Sequence, residues 1–332
     1  MDNSISHMLK VSMKLGLTVK HYPLEADSSP VRAFIRALRV HFVPPSFLPA
    51  ILCGIIPWSR DGVFDPLFFL LAVTGVTINH FGLNMIDDVF DYRQSVDLAG
   101  AGEKNPYAGG SGVLTSGLLT DRQLYHAALL CFAITALIGF YIAASKGWPV
   151  LAIGLFGLFC SIYYTAPPIR LGYRGLGELA LLVNFGPVIG MGSYFVQAGR
   201  FDREPFFISL VLGFMMWSMI IINEIPDYED DRRAGKLNLV ARFGRNAGAV
   251  LYVGGLAAAY ITLAGSVISG LVPVYSALGF LSIPWAWRSV EILRRNLHDK
   301  VTLAPANLCM IKVHFVTGAG LIAGYILNYF VR

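Results

Sequence analysis

Apolar residues in this chain gather into nine stretches separated by short polar bursts. They run over residues 40–58, 66–89, 123–144, 148–166, 176–197, 206–224, 246–267, 271–287 and 306–331. Most approach the length at which an α-helix crosses the hydrocarbon core of a bilayer, about 20 residues. Several contain Pro or Gly, which would argue against helix in water. Within a membrane bundle, neighbouring helices re-satisfy the backbone groups those residues free. The pattern predicts an all-α, polytopic membrane protein. Residues 1–35 are expected as a cytoplasmic N-terminal segment and residues 36–332 as a single transmembrane domain.

Composition agrees with this pattern. Of 332 residues, 55% are hydrophobic and 14% charged, against about a quarter charged in soluble domains. The mean hydropathy is +0.59 and the isoelectric point is near 9.0. The basic balance follows from topology and requires no nucleic acid. With the N-terminus in the cytoplasm, twenty Lys and Arg fall on the cytoplasmic side. Five fall opposite (Arg60, Lys146, Arg200, Arg203 and Arg332), and Lys312 lies within the last stretch. This bias sets the expected orientation in the cell (inner or plasma) membrane, N-terminus in and C-terminus out. The first apolar stretch follows a long basic segment, so no secretory signal is expected. The four cysteines lie in apolar stretches without metal-ligand spacing and read as small hydrophobes.

Two acidic clusters stand out. The second stretch ends Asn84-Met-Ile-Asp87-Asp88-Val-Phe-Asp91-Tyr-Arg93, with Asp97 following. The spacing i, i+3, i+4, i+7 puts one amide and three carboxylates on one helix face. Their mutual repulsion does nothing for helix stability, and a divalent cation would resolve it. The sixth stretch ends Asn223-Glu224-Ile-Pro-Asp227-Tyr-Glu229-Asp230-Asp231-Arg232-Arg233, with Lys236 beyond. Both clusters share Asn-x-x-x-Asp, a further carboxylate at +7, and a following arginine, which suggests an internal helical repeat. A single acidic helix end is commonly only a solvated boundary. Two of them, each carrying an Asn in an otherwise apolar chain, argue for a site. Oxygen-only ligands suit a hard ion. Mg²⁺ typically takes one or two protein carboxylates and completes its shell with water and phosphate.

At these residues the chain resembles the UbiA superfamily of intramembrane aromatic prenyltransferases, whose members pair an Asn/Asp-rich motif near the end of the second helix, here Asn84 to Asp91, with D-x-x-x-D near the end of the sixth, here Asp227 to Asp231. Further likeness lies in Tyr163-Tyr-Thr-Ala-Pro-Pro-Ile-Arg170, in Tyr173-Arg-Gly-Leu-Gly-Glu178, and in Gly109-Gly-Ser-Gly-Val-Leu-Thr-Ser-Gly-Leu-Leu119. Together these look most like the branch that prenylates 1,4-dihydroxy-2-naphthoate on the way to menaquinone. Quinone-pathway members usually carry Asn-Asp or Asn-Thr where this chain has Asp87-Asp88. The resemblance implies nine transmembrane helices around a central cavity under cytoplasmic cap loops. It also implies Mg²⁺-dependent transfer from a polyprenyl diphosphate to an aromatic acceptor.

On this reading the metal ligands are drawn from Asn84, Asp87, Asp88, Asp91, Asp227 and Asp231, with Asp230 and Glu224 as alternates or supports. Arg93, Arg232 and Lys236 are candidates for the diphosphate, and Tyr164 and Arg170 for acceptor or diphosphate. Asn223 is a further substrate-binding candidate, and Asp97 or a member of the acidic clusters is a candidate base. Asn79, His80, Lys312 and His314 are intramembrane polar groups to be placed by the structure. The rival classes are an ion or solute transporter, and the same superfamily with 4-hydroxybenzoate, a chlorin or haem, or a glycerol phosphate as acceptor. Acidic groups at helix ends rather than at the midplane weigh against a transporter.

Overall fold

The structure is a computed structural model describing residues 29–94, 105 and 107–331. Its helices are α1 (Pro30–Ala37), α2 (Pro44–Asp61), α3 (Pro66–Arg93), α4 (Asp121–Lys146), α5 (Trp148–Ile162), α6 (Gly177–Ala198), α7 (Arg203–Arg233), α8 (Leu239–Phe243), α9 (Arg245–Ile268), α10 (Ile283–Asn296) and α11 (Ala304–Val331). There is no strand among the described residues. Local chemistry marks the starts. The Asp65 carboxylate accepts from the Phe68 N–H at 3.2 Å with Pro66 opening α3. Thr120 and Gln123 form a reciprocal capping box before α4.

Every apolar stretch contains helix, but the segments differ in reach. Six helices, α3, α4, α6, α7, α9 and α11, are each long and apolar enough to cross a bilayer. The α1-to-α2 segment, bent by 55°, makes a seventh if taken as one span. α5 has 15 residues. The stretch at 271–287 divides into a 3₁₀ segment, Val274–Ser282, and α10. The 3₁₀ segment lies backbone-to-backbone on α11. A Cβ on Gly320 would sit 2.6 Å from the Leu278 carbonyl, and one on Gly324 would sit 2.5 Å from that of Tyr275. Small residues on α11 thus replace side-chain packing with close helix approach, as membrane interfaces commonly do.

The bundle is a multi-pass membrane protein with an apolar outer surface. Val250, Ile261, Ile268 and Leu137 are largely exposed around the outside, while Ser218, Thr317, Asn307 and His314 are buried inside. α7 packs against α9, α6, α11 and α2, whereas α4 lies outside, mainly against α3. Cys53, Cys160 and Cys309 are buried and all four cysteines are free. At 28 and 31 residues, α3 and α7 are about 42 and 46 Å long, well beyond a core of about 30 Å. Their last turns, which carry both acidic clusters, line one shared cavity and so lie at the same end of the bundle.

Candidate active site

The acidic ends of α3 and α7 face each other across one cavity of about 1250 Å³, counted with its open mouth. α3 contributes Asn84, Asp87 and Asp91, and α7 contributes Asn223, Glu224, Asp227, Asp230 and Asp231. Between them stand two ammonium groups. Lys236 lies just past α7 and donates to Asp91 Oδ2 at 2.7 Å. Lys300, from the α10–α11 connection, lies 3.2 Å from Asp227 Oδ1 and 2.8 Å from Asp230 Oδ2. Burial opposes the charge on each lysine. Asp91, Asp87 and Asp231 outweigh it at Lys236, and Asp227 and Asp230 at Lys300, so both are held above the ordinary lysine value.

The first cluster divides its work. Asp87 and Asp91, one turn apart, face the cavity, and the Asp87 Oδ1 atom is buried without a hydrogen-bond partner. Asp91 also accepts from the Tyr173 hydroxyl at 2.7 Å. Asp88 is buried but turns aside, accepting from the Ser111 N–H at 3.1 and 3.2 Å. Ser111 belongs to the glycine-rich loop singled out in the sequence, and that loop covers the cavity with Ala108, Gly109 and Gly110. Two arginines of the N-terminal region hold the loop. Arg36 Nε donates to Ser111 O at 2.9 Å, and Arg39 Nη2 donates to Gly109 O at 2.8 Å. Arg39 also lies 3.9 Å from Asp87 Oδ2 and lines the cavity itself.

The second cluster is braced from behind. Asn307 on α11 donates to Asn223 Oδ1 at 2.8 Å and accepts from Asn105 at 3.1 Å, tying the covering loop to α7. Asn238 donates to Asp231 Oδ2 at 2.7 Å. Glu224 lines the cavity near the fully buried Glu178, which accepts from the Leu239 N–H. Tyr164 is buried in the wall. Its ring is seated by Gly172 and Gly177, where a Cβ would come within 3.2 and 2.9 Å of it. Deeper, the wall turns apolar with Phe42, Leu83, Leu181, Phe185, Met216, Met219 and Ile220, and His80 packs edge-on to Phe185.

Other expected residues stand away from this cavity. Arg93 pairs with Asp121 at 3.2 Å and lies over the Tyr125 ring. Arg170 lies over the Tyr173 ring, and Arg232 donates to the Tyr228 hydroxyl at 2.6 Å. None of the three lines the cavity. Asn79 donates to Ser161 Oγ at 2.7 Å, a helix–helix contact. Asp97 lies outside the described residues. Lys300, Arg39, Asn105 and Asn307 are the additions that the sequence reading missed. Along the chain the two cations are indistinguishable from the other cytoplasmic Lys and Arg, and no motif marks the asparagines.

The donor set suits a hard divalent ion in a particular way. Carboxylates and amides from two helices surround one space, and a buried oxygen of Asp87 lacks a partner. Among the described residues no three His, Cys, Asp or Glu side chains converge tightly enough to cage a metal alone. The oxygen-only donors fit Mg²⁺, which keeps part of its shell for water and phosphate, and the lysines add charge for an anionic ligand.

Known proteins share this chain's family and fold. The profile of the UbiA prenyltransferase family matches residues 47–311. A 1,4-dihydroxy-2-naphthoate octaprenyltransferase of Bacillus subtilis is 25% identical over 293 residues, 88% of this chain and 91% of its own. A 2-carboxy-1,4-naphthoquinone phytyltransferase of Synechocystis is 24% identical over 311 residues, covering 91% and 96%. A UbiA homologue from Archaeoglobus fulgidus, solved bound to GPP and Mg²⁺, superposes with a TM-score of 0.64 at 15% identity, over 90% of this chain and 99% of that one. With the profile matching most of the chain and the fold shared over 90% of it, this protein is a prenyltransferase of the UbiA family.

Proposed function

We propose that the chain transfers a polyprenyl group from a polyprenyl diphosphate to 1,4-dihydroxy-2-naphthoate, with Mg²⁺. The reaction would run at the cytoplasmic end of a nine-helix bundle in the cell membrane. The observation that carries the proposal is the meeting of the α3 and α7 acidic ends in one cavity with Lys236 and Lys300 between them. The naphthoate and naphthoquinone in the names of the two relatives support this acceptor class. The twenty-to-five distribution of Lys and Arg supports the orientation.

Asn84, Asp87 and Asp91 on α3, with Asp227 and Asp231 on α7, would hold the metal. Bound there, it supplies Lewis-acid stabilisation of the departing diphosphate. Lys236, Lys300 and Arg39 bind diphosphate oxygens. Asp88 and Arg39 keep the covering loop over the mouth and so exclude water. The prenyl C1–O bond breaks with its electron pair leaving on the diphosphate. The allylic cation then faces the start of the apolar wall, beside the ring of Tyr164, and an aromatic face there would stabilise it. A carbon of the acceptor ring gives its electron pair to C1, and the ring recovers aromaticity as it sheds a proton.

The test is a transfer assay on purified protein with labelled geranylgeranyl diphosphate, 1,4-dihydroxy-2-naphthoate, and Mg²⁺ either supplied or chelated. A Mg²⁺-dependent prenylated naphthol is the expected product. Diphosphate release without it would shift the acceptor to 4-hydroxybenzoate, a chlorin or haem, or a glycerol phosphate. Transfer that survives chelation would overturn the metal role.

A further inference from the structure

A second cavity, about 1040 Å³ counted with its open mouth, lies behind the first, between α3, α4, α5 and α6. Its wall is almost wholly apolar, interrupted by Asn79, Thr135, Asn184 and Ser193. It reaches the outside between α4 and α5, where Phe140 and Leu155 are exposed on the lipid-facing surface. The two cavities have one lining residue in common, Phe185.

Phe185 stands where α6 departs from regular helix. Residues Asn184–Val188 form a π turn around Pro187, whose missing N–H cannot close the usual i→i−4 bond. The wider turn puts Leu181 and Phe185 toward the first cavity and Asn184, Val188 and Gly192 toward the second. The backbone here is pinned, because a Cβ on Gly186 would lie 2.8 Å from Gly213 Cα on α7. The Phe185 ring, 1% exposed and 4.8 Å from the His80 ring, therefore fills the space between the two cavities.

We propose that Phe185 determines which prenyl chain lengths the enzyme accepts, by standing between the reaction cavity and a second cavity that takes the distal isoprene units. This rests on the prenyl-transfer reading above. The occupant follows from continuity. The first cavity must hold the diphosphate, its counter-ions and the acceptor ring, and its apolar floor ends at Leu181 and Phe185. A donor longer than that floor has an apolar space directly beyond, open to lipid, in which to bury the remainder. Short chains stop at the ring, and long chains displace it.

The test compares KM for geranyl and octaprenyl diphosphate in the full-length protein, with one acceptor. Phe185→Ala joins the cavities. Gly154→Phe and Gly139→Phe plug the second one, and a Cβ at either glycine meets no atom within 4 Å, so the helices can accept it. The ratio of octaprenyl to geranyl KM is expected to fall about tenfold in Phe185→Ala and to rise about tenfold in both plugged variants. Equal shifts for both donors, or an unchanged ratio in the plugged variants with transfer intact, would overturn the role of Phe185 and leave prenyl transfer standing. No transfer of either donor by the unmodified protein would remove the underlying reading and this proposal with it.

Discussion

Lys236 and Asp91, 145 residues apart in sequence, meet at 2.7 Å and join the end of α7 to the end of α3. Both side chains are largely buried. The ammonium also faces Asp87 and Asp231, so one cation balances carboxylates from both clusters. Removing one partner of a buried, hydrogen-bonded charge pair costs about 2–5 kcal/mol, much of it from the charge left unpaired. Lys236→Met is expected to lower kcat/KM for the prenyl diphosphate by about 100-fold. Lys236→Arg is expected to fall between that variant and the unmodified protein. Steady-state kinetics on detergent-purified protein checks both.

Adjacent carboxylates on α3 should behave differently. Asp88→Asn keeps an oxygen to accept the Ser111 N–H and loses only the charge on that bond, a difference of about 1 kcal/mol or roughly fivefold in rate. Asp91→Asn and Asp227→Asn change groups that face the cavity and its cations, and each is expected to abolish measurable transfer while the protein stays folded. Transfer rates and size-exclusion profiles of the three variants make the comparison. Loss as complete in Asp88→Asn as in Asp91→Asn would move Asp88 from holding the loop to holding the ligand.

The two lysines predict a flat response to moderate alkali. Each has its folded pKa raised, so its stabilisation is complete below the unfolded value of about 10.4 and is lost only as pH climbs through the folded one. Without Mg²⁺, the Tm should therefore show no lysine-dependent fall between about pH 7 and 9. A loss of Tm in that range that disappears in Lys236→Met or Lys300→Met would contradict the assignment. Thermal unfolding of the three metal-free proteins across that range decides it.

Packing of α11 can be tested away from the site. Gly324→Ala drives a Cβ to 2.5 Å from the Tyr275 carbonyl, an overpacking expected to cost about 1–3 kcal/mol. Gly254 on α9 is the control, since a Cβ there meets nothing within 4 Å. Gly254→Ala should be neutral or slightly stabilising, because alanine loses less backbone entropy in a helix. Thermal unfolding in detergent should show a lower Tm for the first variant only.

Much of this protein was legible along the chain. Apolar stretches located the helices, because burying backbone groups in lipid demands helix and sets its length. The recurrence of Asn-x-x-x-Asp marked the ends of α3 and α7 as a pair, since helix geometry fixes which residues share a face over one or two turns. That local rule could not choose between Asp87 and Asp88, which differ by one residue and point to the cavity and to the covering loop respectively. Nor could it separate Lys300 and Arg39, which line the cavity, from Arg93 and Arg232, which pair at its outskirts. The broken 271–287 stretch packs closely on Gly320 and Gly324, about 40 to 50 residues further on, a contact no local window contains. Side-chain direction and charge pairing at such separations follow from how helices pack against one another, and that packing energy belongs to the assembled bundle rather than to any window of sequence.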